Sequence, residues 1–470
     1  MPVLAQEDTL KLSLDETIRL AKSQSADAAV AVNRLKTAYW EHRTHKADQL
    51  PEISFNGTLP AYSNRYSLYR QSDGTYTYAH ENRLGLSGRM SVEQNIALTG
   101  GKITLASSLD FTRQLGIGSR NEYMSIPLSL TLVQPVFGTN HQKWKRRIEP
   151  LKYREAQSTF AENMEEVALA ALSLFFNLLQ SRENLDIALL NSDNANRLHY
   201  IAAEKRRLGY ISESELMQLE LNALQARGTV TEAQSTLNAA RFRLGSFLGI
   251  ADSITIEPLA PAAVPSLRID YRDVLDKAVS NNSFSKNILR RQIEADYSVA
   301  AAKGEQRSVD LYASVGYTGK DPLPSAAYNR LSGNQIVEIG LSIPILDWGK
   351  RKGKVRVAES NREALIAQAR QEQMTFDASI FLLVENFNNQ AAQLDIAMQA
   401  DRIASRRYAA SIETFMTGNI NVLDLNDARR SKDEAKIKLI AEMHKYWTYY
   451  FNIRSVALYD YAAQTFLTGN

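Results

Sequence analysis

The chain has 470 residues, enough for two or three cores at roughly 100–200 residues per domain, or for one elongated body. Hydrophobic residues are 44% and charged residues 23%, with 55 basic against 52 acidic side chains and a net charge of +3; with a mean hydropathy of −0.31 this excludes a disordered chain and a helical membrane protein, and leaves no cationic excess to hold nucleic acid. Cysteine is absent, which removes thiolate catalysis, Cys-zinc sites, disulfides and an acylated N-terminal cysteine.

Met1 to Glu7 hold no basic stretch and no full apolar core, so a complete signal peptide is not expected. Val3-Leu4-Ala5-Gln6 is similar to what a cleavage site leaves behind, as in a mature exported chain behind an added Met. Short helices are then expected over 11–50, strands over 51–140 and a long helical hairpin over 141–250. These make a first structural repeat spanning 11–256. A Pro-rich linker follows over 257–268, where Pro258, Pro261 and Pro265 prevent a regular helix. The second repeat, 269–462, has the same order: helices over 269–308, strands over 309–349 and a long hairpin over 350–462, with 463–470 as a tail. Asp15 to Ala21 recurs in type as Tyr271 to Ala278, and Leu50 to Gly57 as Ser308 to Gly316.

The strand segments alternate. Val337, Ile339, Leu341, Ile343 and Ile345 face one way, Glu338, Gly340, Ser342 and Pro344 the other. Leu84, Leu86, Met90 and Val92 oppose Gly85, Ser87, Arg89, Ser91 and Glu93, and Leu128, Leu130 and Leu132 oppose Ser129 and Thr131. A soluble sandwich and a membrane barrel both fit this alternation. The longest apolar stretch, Val167 to Leu179, is shorter than the about 20 residues a helix needs to span a bilayer, so any crossing must be made by strands.

The long helices are read over about 142–207 and 353–415, each near 100 Å at about 1.5 Å per residue. Their apolar residues keep the four-and-three spacing of a coiled-coil seam: Phe160, Met164, Val167, Ala171, Leu174 and Leu178 in the first, Phe376, Ile380, Leu383 and Phe387 in the second. A returning helix continues it through Leu216, Leu219, Ala223, Ala226, Val230, Ala233, Leu237, Ala240 and Leu244. The seam runs too far to be buried by one chain's four helical passes, so self-association follows from the pattern.

Two matching turns end the long helices, Gly209-Tyr210-Ile211-Ser212-Glu213-Ser214-Glu215-Leu216 and Gly418-Asn419-Ile420-Asn421-Val422-Leu423-Asp424-Leu425. Each glycine suits the left-handed close of a helix; Ser212 or Asn421 suits the next N-cap, with Glu215 completing a capping box. As helix-turn-helix chemistry this needs no functional role. Asp424 and Asp427 share a face of the following helix start, either compensating its dipole or, in symmetric copies, forming an acidic ring. His42 and His45 have helical spacing but no third ligand, and are read as part of a solvated face. Gly116-Ile117-Gly118-Ser119 is read as a strand-connecting loop. No catalytic constellation, metal site or cofactor site is expected.

This duplicated order resembles the TolC family of outer-membrane efflux proteins over nearly the whole chain. The likeness rests on Gln134-Pro135-Val136-Phe137-Gly138 and Ile343-Pro344-Ile345-Leu346-Asp347-Trp348-Gly349-Lys350, at the two strand-to-helix passages, and on the two turns. Trp348 stands where the family pattern has glycine, and Ile420 near where some members carry an arginine. The resemblance implies an α+β fold: a trimeric outer-membrane β-barrel of about four strands per protomer, continued by a coiled-coil periplasmic tunnel. Met90 to Phe111, around Gly100-Gly101, forms an extra candidate hairpin beyond that number. The implied function is a passive exit duct at the outer membrane of a Gram-negative cell. Its implied partners are a periplasmic adaptor (membrane fusion protein), an inner-membrane pump of RND or ABC type and outer-membrane lipid, with no nucleic acid and no cofactor. By resemblance Asp424, Asp427 and Glu215 constrict the pore, and the tips Gly209, Tyr210, Ile211, Ser212, Gly418, Asn419, Ile420 and Asn421 bind the adaptor. The alternative is a soluble or periplasmic coiled-coil scaffold with a β-sandwich.

Overall fold

The computed structural model describes residues 9–116, 119–261, 267–306, 308–342, 346–416, 420 and 422–467. In chain order the elements are β1 (Thr9–Leu12), α1 (Leu14–Gln24), α2 (Ala26–Ala47), β2 (Glu52–Arg70), β3 (Tyr76–Ile96), β4 (Gly101–Gln114), β5 (Arg120–Pro135), α3 (His141–Arg207), α4 (Glu213–Leu248), β6 (Thr255–Pro258), α5 (Tyr271–Asn281), α6 (Ser283–Gly304), β7 (Ser308–Asp321), α7 (Pro324–Asn329), β8 (Leu331–Ser342), α8 (Lys350–Met416), α9 (Val422–Ala457), β9 (Tyr459–Asp460) and β10 (Thr465–Phe466). The long helices α3 and α8 each have 67 residues, the returning α4 and α9 each 36. The chain divides into two compact units, one of Met1–Thr37, Arg154–Lys286 and Gln371–Asn470, the other of Ala38–Tyr153 and Asn287–Arg370.

The first unit is helical. Seam residues Val167, Ala171 and Leu178 of α3, Leu237 and Leu244 of α4, and Ile380 and Phe387 of α8 are buried in one core with Phe175, Phe176 and Tyr446. An α-helix returns to the same face every 3.6 residues, so the four-and-three spacing puts these side chains on one stripe. Within this core the Glu165 carboxylate is almost fully enclosed. It takes Lys22 of α1 and Arg454 of α9, whose Nε lies 3.1 Å from Oε2; Arg454 in turn reaches Asp460 at 2.8 Å. An acid taken out of water there is tolerable because two cations face it. β1 pairs in parallel with β6, and β9 antiparallel with β10. β6 therefore takes up the first residues of the expected linker; 262–266 lie outside the described residues.

The second unit is built on one antiparallel sheet of six strands in the order β2-β3-β4-β5-β7-β8. The expectation of about four strands is corrected by this count: the stretch between α2 and α3 holds four strands, not two. The reason is local. Gly100, at φ +79, closes a tight turn between β3 and β4, and fourteen paired positions from Arg83↔Gln114 to Ile96↔Gly101 hold the hairpin inside the sheet. Asn140 fixes that turn from outside: its Nδ2 donates to Ala97 O (3.0 Å) and Leu98 O (3.1 Å), while its Oδ1 accepts from Lys143 N (2.9 Å) and so caps α3.

The two faces of the sheet differ. One cross-strand row reads Ile53↔Val92↔Leu105↔Leu130↔Val315, and the next row reads Ser54↔Ser91↔Ala106↔Ser129↔Gly316. On the sixth strand Val337 and Ile339 pair with Ala313 and Leu311 and extend the apolar face. That face is open: Phe55 is 72%, Val315 47% and Val337 75% exposed. On the small-residue face Ser91 and Ala106 are buried, and hydroxyls meet at Ser54–Ser91 (3.0 Å) and Thr131–Ser314 (3.2 Å). At the β5/β7 end α7 packs down, with Ser125 Oγ donating to Ala327 O at 2.6 Å.

The histidine pair does not form the solvated face expected of it. His45 is buried and shares a 2.9 Å hydrogen bond with Gln49, and His42 stacks on Tyr153 with ring centroids 5.0 Å apart. Among the described residues no group of three His, Cys, Asp or Glu is placed to hold a metal, and no helix is long and apolar enough to cross a membrane.

Candidate functional site

The first tip is a complete Schellman turn. Gly209, at φ +80, lets Tyr210 N donate back to Lys205 O (2.9 Å) while its own amide reaches Arg206 O (3.0 Å). No atom lies within 4 Å of where a Cβ on Gly209 would sit, so glycine is required by the backbone angle and not by space. Two residues on, the chain reverses. Ser212 takes an extended conformation and caps α4: its Oγ accepts from Glu215 N (3.2 Å), and Glu215 Oε2 accepts from Ser212 N (2.7 Å) and Oγ (2.9 Å). Tyr210 is left exposed at the apex and Ile211 half-buried.

Glu215 is therefore engaged in its own turn. The amide and hydroxyl of Ser212 hold its carboxyl below the usual carboxylate range, so it stays ionised, but its oxygens are directed at the helix start. The nearby cation Arg206 leans on the turn as well, with Nη1 3.4 Å from Ile211 O and Nη2 3.8 Å from Glu213.

Of the second tip, Gly418, Asn419 and Asn421 lie outside the described residues. Ile420 is half-buried in the bend before α9, and Leu423 is exposed. Asp424 lies in the first turn of α9 and Asp427 one turn further, three residues along the helix. Asp427 has a partner that spacing did not reveal: Arg407 of α8 donates from Nη2 at 2.9 Å, and Arg430 from its own helix at 3.1 Å. Arg407 also reaches Ser431 Oγ at 3.4 Å. The Arg407 guanidinium first, then Arg430, keeps the Asp427 carboxyl below its ordinary value. So the structure groups Gly209, Tyr210, Ile211, Ser212 and Glu215 in one turn, and ties Asp427 across a helix pair. Arg407 was the residue missed; its signal lay in the Arg406-Arg407 pair opposite the acids on the approaching helix.

The second strand-to-helix passage is strained at the position where the resemblance would place glycine. Trp348, 89% exposed, sits at φ 53 between Asp347 and Gly349. Asp347 closes the turn by accepting from Gly349 N (3.0 Å) and Arg351 N (3.2 Å). Ile343, Pro344 and Ile345 of that motif lie outside the described residues.

Comparison with known proteins gives a consistent set. Residues 280–450 match the family model described as outer membrane efflux protein. The cobalt-zinc-cadmium resistance protein CzcC of Cupriavidus metallidurans is 22% identical over 294 residues, 61% of this chain and 66% of the relative. Protein CyaE of Bordetella pertussis is 23% identical over 268 residues, 55% of each. The match thus spans somewhat under two thirds of the length of these curated relatives. The crystal structure of the Campylobacter jejuni CmeC outer membrane channel superposes with a TM-score of 0.67 at 15% identity, covering 94% of this chain and 85% of CmeC.

Proposed function

We propose that the chain, which matches the outer membrane efflux protein family model over residues 280–450, is the passive outer-membrane exit duct of a tripartite efflux or secretion system. It conducts exported solutes from a periplasmic adaptor and an inner-membrane pump of RND or ABC type to the exterior, and supplies no energy itself. Copies of the chain, three by family resemblance, close a shared barrel in the outer membrane, and their long hairpins form a tunnel in the periplasm. The two-repeat division, 11–256 and 269–462, belongs to the same reading.

The observation that carries it is the exposed apolar face of the six-stranded sheet. In water most of that face would stay uncovered, whereas in lipid it is the outer wall of a barrel, and the row of Ser, Ala and Gly behind it is the wall toward the lumen. A sandwich scaffold would need a second sheet over the same face; among the described residues no other sheet has more than two strands. Self-association has support in the helical unit too, where Leu189, Leu221, Leu224, Ile396 and Ile403 are exposed.

In this reading Asp424 and Asp427 constrict the periplasmic entrance, with Glu215 in a secondary position by resemblance. The turns at Gly209, Tyr210, Ile211 and Ser212, and at Gly418, Asn419, Ile420 and Asn421, receive the adaptor. The experiment is fractionation with and without detergent: a heat-modifiable oligomer released from the outer membrane only by detergent supports the duct. A monodisperse monomer in detergent-free buffer overturns it.

A further inference from the structure

We propose that the β3–β4 hairpin adds two membrane-spanning strands, so that each copy contributes six staves and three copies close an eighteen-strand barrel through β8 of one copy against β2 of the next. This rests on the barrel reading above and goes beyond it, because the resemblance implies only four strands per chain.

Three observations carry the inference. The first is level. On β4, Lys102 and Arg113 bracket ten residues, 103–112; on β5, Glu122 and Gln134 bracket eleven, 123–133; on β7, Asp310 and Lys320 bracket nine, 311–319. A tilted strand needs about 9–11 residues to cross the hydrocarbon layer. The polar ends also stand side by side in the ladder: Thr112 pairs with Glu122 and Met124 with Lys320 at one end, Lys102 with Val133 and Pro135 with Asp310 at the other. β4 thus carries its apolar band at the same height as its neighbours.

The second is facing. Between those charges the outward residues of β4 are Ile103, Leu105, Ser107, Leu109 and Phe111, apolar but for Ser107, and the alternate ones are Thr104, Ala106, Ser108, Asp110 and Thr112. Leu105 lies in the row with Val92 and Leu130, so lipid-facing residues stay lipid-facing through both added strands. The β3–β4 ladder runs without a register shift, and β4 stays in phase with β5 from Lys102 to Ala106. Beyond the shift at Ala106/Ser108 the aromatic pair Phe111↔Tyr123 continues the apolar side, and a hairpin excluded from the bilayer would have no reason to keep that alternation. Its turn is also held at the helical end of the sheet, where Asn140 binds Ala97 and Leu98 and Gln134 Nε2 donates to Thr99 O at 3.1 Å.

The third is parity. The ladder leaves β2 and β8 as edges, and an open edge in lipid strands its amides and carbonyls. All six strands alternate in direction, so β8 of one copy and β2 of the next run antiparallel and can pair. Since a barrel's diameter grows roughly in proportion to strand number, eighteen strands give an outlet about half as wide again as twelve.

The chain has no cysteine, so single substitutions report without background. Leu105→Cys and Leu109→Cys on the added strand, with Leu130→Cys and Val315→Cys as controls on β5 and β7, are labelled in outer-membrane vesicles. One reagent is a membrane-impermeant maleimide, the other a lipid-soluble one. All four are expected to lose impermeant labelling and keep the lipid-soluble label, while Thr104→Cys reacts with the impermeant reagent from the lumen. If Leu105 and Leu109 take the impermeant label while Leu130 and Val315 do not, the hairpin is outside the bilayer and the proposal falls with the barrel intact. If Leu130 and Val315 also take it, the barrel reading itself fails. Electron cryo-microscopy of the unsubstituted oligomer in lipid discs counts strands directly: six per chain supports the proposal, four overturns it.

Discussion

Val315 lies at the centre of the bracketed stretch of β7, with Leu130 of β5 and Gln335 of β8 as its cross-strand partners. Replacing it with arginine asks which solvent wets that face. The residue is nearly half exposed in the chain, so in water the change is worth at most about 0.5 kcal/mol. At the midplane of a bilayer an outward arginine costs about 2–4 kcal/mol. At about 1.4 kcal/mol per tenfold, that is roughly a 30- to 700-fold fall in the folded-to-unfolded ratio. The control is Thr104→Arg on the opposite face, where Glu93 and Thr131 are the cross-strand neighbours and the new charge meets an acid; its expected effect stays within about 1 kcal/mol. The assay is urea titration of each variant in lipid vesicles, read by the mobility shift of the folded oligomer. If Val315→Arg unfolds at the same urea concentration as Thr104→Arg, the apolar face does not meet lipid and the reasoning fails.

Four further outcomes are expected. Gly209→Val forces a branched side chain to φ +80, at a local cost of about 1–2 kcal/mol, with no atom of the chain in its way; efflux and adaptor cross-linking should fall while the oligomer band is unchanged. Asp424→Asn with Asp427→Asn should lower cation preference and multivalent-cation block in planar-bilayer recordings, with Glu215→Gln weaker. Arg407 holds the Asp427 carboxyl low, so its charge, and the stability that goes with it, is fully present above the unfolded value of about 3.9 and is lost only as pH falls through the lower folded value; Arg407→Gln should move loss of cation preference to higher pH. His444, stacked on Phe176 at 5.1 Å, is held below its usual value by burial. Its contribution is complete above about pH 6.5 and declines as pH falls through the depressed folded value, so His444→Gln should narrow the gap between urea midpoints at low and neutral pH.

Ser212 and Glu215 stand three apart, and their capping box was legible because a cap is made by consecutive residues. The helical core was legible for a related reason: Val167, Ala171 and Leu178 recur at the spacing that returns to one face, whatever they pack against. Trp348 is an intermediate case. Its motif showed a departure, but only the backbone angle shows that the tryptophan takes the left-handed conformation that glycine would adopt freely.

The sequence by itself determined the periodicities: which segments are helix or strand, which side of each is apolar, and where the two tip turns fall. These depend on neighbours within a few residues. The tertiary structure decided how many strands share the sheet, that Arg407 faces Asp427 twenty residues away, and that Lys22 and Arg454 converge on Glu165. Strand ladders and ion pairs of that kind form between segments that come together only when the chain folds, and neither spacing nor composition records which segments those are.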